Sequence, residues 1–113
     1  MKIEHDRGLI SEALARGYIP VSRELTWHNS WQWEPHYRIG IWLQLLLETE
    51  WIEEDGEVLG RVKIYSMRPP TFPFARRSTP GKWLGALKAF RDMGLIDFTR
   101  EWGSFNVEIL RLW

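Results

Sequence analysis

Basic side chains are concentrated in one stretch of this chain. Residues 61–91 contain no Asp or Glu and eight basic residues, which are Arg61, Lys63, Arg68, Arg76, Arg77, Lys82, Lys88 and Arg91. Residues 1–60 hold five Lys/Arg against eleven Asp/Glu (−6), and residues 61–113 hold ten against four (+6), so a formal net charge of zero conceals a polarised molecule. Concentrated positive charge attracts polyanions, of which nucleic acid is the commonest for a small protein.

The bulk properties indicate a single folded domain, 1–113. With 113 residues, 44% of them hydrophobic and 27% charged, the chain can form a core. The absence of cysteine excludes disulfides and thiol chemistry, and it fits a cytoplasmic protein. The first residues contain no signal-peptide pattern, and the longest apolar stretch, around 41–47, is too short to span a membrane.

No residue pattern predicts an enzyme, a metal site or a cofactor. His5, His28 and His36 do not have metal-ligand spacing, and the acidic segment 53–57 (EEDGE) matches no calcium loop, so a solvated turn is expected there. The sequence also contains no glycine-rich phosphate loop and no nucleophile motif. We therefore expect a non-enzymatic protein.

The first half of the chain predicts two helices. The first covers 6–16, ends at Gly17, and is followed by an extended segment at 18–25. The second covers 35–50 and has a wide apolar face made by Tyr37, Ile39, Ile41, Trp42, Leu43, Leu45 and Leu46. Arg38, Gln44 and Glu48 leave a narrow polar strip, which is typical of a core helix.

Eight tryptophans are distributed along the chain, and their abundance has two interpretations. Trp42 and Trp83 lie on apolar helix faces, which predicts packing in the core. Trp27, Trp31 and Trp33 fall in a predicted loop, where core packing and a binding surface remain alternatives.

The second half predicts a strand, an irregular segment and a helix. Residues 61–65 alternate like a strand, and three prolines in the Pro-rich segment, 67–78, disfavour a helix there. A helix is expected over 79–93, with Thr79 as its cap, Pro80 in its first turn and Gly94 after its end.

The predicted helix over 79–93 has a bulky face and a small face. The bulky face contains Trp83, Ala86, Leu87 and Phe90. The small face contains Gly85, Ala89 and Asp92, with Lys82 and Lys88 at its sides. Such a face would let the backbone approach a DNA groove while cations reach phosphate; a plain solvated surface is the alternative.

Residues 95–113 predict a hairpin. Ile96 and Phe98 would point inward from its first strand, and Phe105, Val107 and Ile109 from its second. Gly103-Ser104 would form a two-residue type II′ turn between them.

The order of these elements resembles the winged-helix domain of phage and plasmid replication initiators, the DnaD-like primosome loaders and phage replisome organisers. The resemblance rests on two stretches, VSRELTWHNSWQWEPHYRIGIWLQLLLETEW (21–51) and STPGKWLGALKAFRDMGLIDFTREWGSFNVEILRLW (78–113). It implies an α+β winged helix in which 79–93 is the recognition helix and 95–113 is the wing. In that family another helix supports the recognition helix, whereas this chain has the Pro-rich segment in its place.

The resemblance implies a small protein that binds double-stranded DNA and acts in replication initiation or transcription regulation of a phage or mobile element. The expected DNA contacts are Lys63, Arg68, Arg76, Arg77, Lys82, Lys88 and Arg100. Binding as a homodimer is common for such domains, and the C-terminal strand ending at Trp113 is a candidate dimer surface.

A protein-interaction module on the same scaffold is the alternative. The net charge is zero, tryptophan is abundant, and PPTFPF at 69–74 looks like an exposed apolar segment that could dock in an aromatic groove. On this reading the chain modulates or inhibits a host protein, which it contacts through its Trp-rich or Pro-rich surface.

Overall fold

The computed structural model describes residues 16–18, 36–55 and 57–111. The described residues form two helices, α1 (Tyr37–Glu48) and α2 (Pro80–Asp92), and four strands, β1 (Glu50–Glu54), β2 (Glu57–Tyr65), β3 (Ile96–Glu101) and β4 (Ser104–Ile109). The predicted helix at 6–16, the extended segment at 18–25, the loop with three tryptophans and Trp113 lie outside the described residues, apart from 16–18. The described ranges therefore form a small α+β fold.

The four strands make one antiparallel sheet in the order β1-β2-β4-β3. Directly opposed residues on neighbouring strands project from the same face. Val62 and Phe98 both oppose Val107, and Ile64 opposes Phe105, so these residues define the inner face. The helices cover this face, and the shared core is completed by Trp42, Leu45, Trp83, Leu87 and Phe90.

Helix α1 is the core helix that the sequence predicts. Ile41, Trp42, Leu45 and Leu46 are all buried, while Ile39 remains exposed although the apolar pattern includes it. The helix ends at Glu48, two residues earlier than predicted. There the hydroxyl of Thr49 donates to the carbonyl of Leu45 at 2.6 Å, and the Thr49 backbone is extended.

Strand β1 was not predicted. The sequence indicates a helix to residue 50 and an acidic turn over 53–57, but Glu53 and Glu54 belong to β1 and Glu57 belongs to β2. Packing of the Trp51 side chain over Gly60 of β2 holds this polar strand in the sheet. A Cβ on its partner Gly60 would lie 2.8 Å from the Trp51 ring, so the glycine gives the indole room on the inner face.

Helix α2 has the bounds that its local signals predict, to within a residue. The Thr79 side chain accepts from the Lys82 amide at 3.2 Å, and Pro80 occupies the first turn. At the other end, the amides of Gly94 and Leu95 donate to the carbonyls of Arg91 and Phe90, which is a Schellman motif with Gly94 at φ 77°.

The β3–β4 hairpin is confirmed, but its predicted turn is wrong by one residue. Glu101 pairs with Ser104, so the turn consists of Trp102 and Gly103, and Ser104 already belongs to β4. Gly103 has φ 76°, while Trp102 is not in the left-handed region. This sign pattern belongs to a type II turn and differs from that of type II′.

Candidate nucleic-acid interface

The exposed side of α2 is a low-profile surface. A Cβ at Gly85 would meet no atom within 4 Å, and one at Gly81 would meet only the Thr79 hydroxyl, at 3.9 Å. Lys88 is exposed on this side, whereas Trp83 and Phe90 face the core. Since nothing bulky covers these glycines, another surface can approach the helix backbone closely.

Two cations beside this surface each lie over an aromatic ring. Lys82 Nζ lies 5.1 Å from the ring centre of Tyr37 in α1, and the Arg91 guanidinium carbon lies 4.5 Å from that of Phe98 in β3. Within residues 16–18, 36–55 and 57–111, these two cations contact aromatic rings and no carboxylate pairs with them. The rings restrict the positions of the two charges.

The Pro-rich segment is docked on α1 by one side chain, Gln44. Its amide nitrogen donates to the carbonyl of Phe72 and to Glu48, both at 3.0 Å. Its amide oxygen accepts from the backbone N–H of Phe74 at 2.8 Å and of Ala75 at 3.4 Å. Gln44 is completely buried, so all its hydrogen-bonding capacity is used to fix this segment.

Close backbone packing also fixes the segment. A Cβ at Gly40 of α1 would collide with the carbonyl oxygen of Phe74. At the segment's end, the Trp83 indole donates to the Ser78 hydroxyl at 3.1 Å, which ties the segment to α2. As predicted, no helix forms between β2 and α2.

This docking presents Arg76 and Arg77 to solvent just before α2. The Arg76 guanidinium carbon lies 5.0 Å from the ring centre of Phe72. Arg77 has φ 61°, a conformation that costs a residue with a side chain about 1 kcal/mol. An exposed arginine in a position better suited to glycine is consistent with a functional constraint.

Arg100 lies on the helix-bearing side of the sheet. It opposes Phe105, whose ring centre is 5.8 Å from its guanidinium carbon. Phe105 in turn packs edge-on against Phe98 with their centres 5.7 Å apart. Arg91 and Arg100 therefore flank one aromatic pair, which connects α2 to the hairpin.

Lys63 does not join these cations. It opposes Asn106 on the outer face of the sheet, which faces away from both helices. There it lines a shallow depression of about 420 Å³ together with Arg61 and three carboxylates, those of Glu50, Asp97 and Glu108. This depression offers no uniformly basic surface for a duplex, and the sheet separates Lys63 from the lysines of α2.

The predicted contacts thus divide into groups. Five lie on the helix-bearing side, in the segment before α2, on α2 or in β3; they are Arg76, Arg77, Lys82, Lys88 and Arg100. Arg68 is exposed where β2 ends, and its amide donates to the carbonyl of Tyr65. The predicted set does not include Arg91, which lies three residues after Lys88 on α2 and contacts Phe98. The sequence prediction also missed the structural role of Gln44.

In residues 16–18, 36–55 and 57–111, no three His, Asp or Glu side chains gather where they could hold a metal ion. Neither α1 nor α2 has the length and hydrophobicity of a membrane-spanning helix.

Comparison with models of protein families, with curated proteins and with solved structures finds no match for this chain. Function is therefore inferred from the chain's own surface.

Proposed function

We propose that this chain binds duplex DNA through the exposed side of α2 and the cations around it. The observation that carries the proposal is the combination of an open glycine surface on α2 with cations that contact aromatic rings. DNA offers a matching surface, because its grooves admit a helix and its phosphates line both groove edges.

In this mode, Gly81 and Gly85 lie nearest the groove, and the cations bind the phosphates on either side. Arg76 and Arg77 precede the N-terminus of α2, where the positive end of the helix dipole also favours anions. Arg91 and Arg100 extend the contacts to the β3–β4 hairpin. Most of these groups position the duplex and read little sequence, so affinity depends strongly on salt.

The test is duplex binding by fluorescence anisotropy across a series of salt concentrations. We expect salt-sensitive binding by the native chain, and its loss in a variant with Arg76→Glu, Arg77→Glu and Lys82→Glu. Lys88→Gln should lower the slope of log affinity against log salt by about one, the value for one lost phosphate contact.

Arg61→Gln is the matched control, because it removes one charge from the outer face of the sheet. It should leave the salt slope unchanged. Absence of duplex binding by the folded native chain at low salt contradicts the proposal, as does an equal effect of Arg61→Gln and Lys88→Gln.

The order of elements favours a winged-helix role for these parts. In that scheme α2 is the recognition helix, the β3–β4 hairpin is the wing, and the Pro-rich segment docked by Gln44 replaces the supporting helix. The biological role that follows is replication initiation or transcription regulation in a phage or mobile element, with a homodimer providing two DNA contacts.

A second candidate function, contact with a host protein, is supported by the Pro-rich segment. Phe72 and Phe74 are exposed although the backbone that carries them is hydrogen-bonded to Gln44. Rigid presentation of apolar side chains lowers the entropic cost of binding a partner. This function would use the Phe72 and Phe74 side chains, whereas duplex binding would use the cations.

A further inference from the structure

Three large apolar side chains are exposed at one end of the sheet. Trp102 is fully exposed in the β3–β4 turn, Met67 is 78% exposed and Tyr65 is 62% exposed. The Ser66 amide donates to the carbonyl of Gly103 at 3.0 Å, which places residues 65–67 beside that turn. We call these three residues the sheet-end cluster.

Packing within the fold does not account for this cluster. A completely exposed indole contributes no burial to folding, and single exposed apolar residues are ordinary, whereas several at one site mark a contact surface. The turn requires a positive φ only at Gly103. It does not require a tryptophan at position 102.

The charges near the cluster indicate the chemistry of its partner. Lys63 Nζ lies 5.7 Å from the Tyr65 ring centre on the outer face, and Arg68 follows Met67. Arg100 precedes the turn on the opposite, helix-bearing face of the sheet. Glu101 is the one carboxylate in these neighbouring stretches, 63–68 and 100–104. Flat rings among excess cations suit unpaired nucleobases, which stack on aromatic side chains while their phosphates meet lysine and arginine.

We propose that the sheet-end cluster binds unpaired bases, so that the preferred ligand is a DNA duplex with a single-stranded extension. This inference rests on the proposed duplex binding and specifies its substrate. The duplex contacts α2, and Trp102 stacks on a base of the extension. Lys63, which is separated from the lysines of α2, contacts the single-stranded extension beside Tyr65.

The experiment compares a blunt duplex with the same duplex carrying an oligothymidine extension on one strand, by anisotropy at one salt concentration. We expect the native chain to bind the extended duplex about fivefold to a hundredfold more tightly, the range for stacking one base. Trp102→Ala should lower the affinity for the extended duplex to that for the blunt one. Trp102→Phe should keep most of the preference because it retains a ring.

The outcomes separate this inference from the proposed function. Equal native affinity for the two ligands overturns the inference and leaves duplex binding intact. A preference that survives in Trp102→Ala also overturns it. Failure of the native chain to bind either ligand overturns the proposed function. Because Trp102 is fully exposed, the variants should fold, and an unchanged urea midpoint checks this.

Discussion

At the scale of single residues, Gln44 decides how the segment before α2 is held. It is a glutamine without solvent exposure whose amide contacts the backbone of Phe72, Phe74 and Ala75. Buried amides are costly unless their hydrogen bonds are made, and here they are made to a segment about thirty residues away in sequence. The position of Arg76 and Arg77 therefore depends on a buried residue earlier in the chain.

We predict that Gln44→Leu lowers the free energy of unfolding by about 2 kcal/mol, because backbone donors at Phe74 and Ala75 lose their acceptor. Urea denaturation measures the loss, and chymotrypsin cleavage after the exposed Phe74 should become faster. Glu48→Gln is the control; it keeps an acceptor for Gln44 and should cost less than about 0.5 kcal/mol. Equal stability of Gln44→Leu and the native chain contradicts this role.

Gln44 and Lys63 have positions in the fold that their local sequence does not reveal. The sequence pattern places Gln44 in a polar strip. Its hydrogen-bond partners are distant in sequence, so they leave no local signal. In the sequence, Lys63 belongs to a single basic run. Because side chains alternate between the two faces along β2, Lys63 lies on the outer face. The content of the basic run could be predicted from sequence, whereas its division between faces required the strand register.

At the scale of elements, local signals explain which parts were predictable. Helix α2 carries a cap, a proline and a C-terminal glycine in its own sequence, and its bounds follow from them. Strand β1 has only Trp51 and Ile52 as apolar residues among glutamates. It exists through pairing with β2 and through the space at Gly60, which are non-local causes.

The cap of α2 provides an element-scale prediction. Thr79→Ala should lower the free energy of unfolding by about 1 kcal/mol, since the Lys82 amide loses the hydroxyl acceptor. Thr79→Ser keeps this acceptor and should stay within a few tenths of a kcal/mol of the native value. Urea denaturation of the three proteins decides, and a Ser variant as unstable as the Ala variant would show that the methyl group matters and the cap does not.

At the scale of the whole molecule, α1 holds the Pro-rich segment, the segment precedes α2, and α2 packs against the hairpin. The cations and exposed aromatic side chains of 61–104 are thus attached to one core. The two candidate functions share this frame and differ in which side chains meet the ligand.

The double variant Phe72→Ser, Phe74→Ser distinguishes the two functions. Both side chains are exposed, at 70% and 49%, and their backbones supply the contacts with Gln44, so the fold should persist with an unchanged urea midpoint. If the chain acts on DNA, duplex affinity should fall less than about threefold, a loss attributable to the missing Phe72 support for Arg76. If the Pro-rich segment is the main contact, a host protein retained by the native chain should be lost while duplex affinity is weak in both proteins. Duplex affinity as low in this variant as in the variant with Arg76, Arg77 and Lys82 reversed would contradict the assignment of DNA binding to the cations.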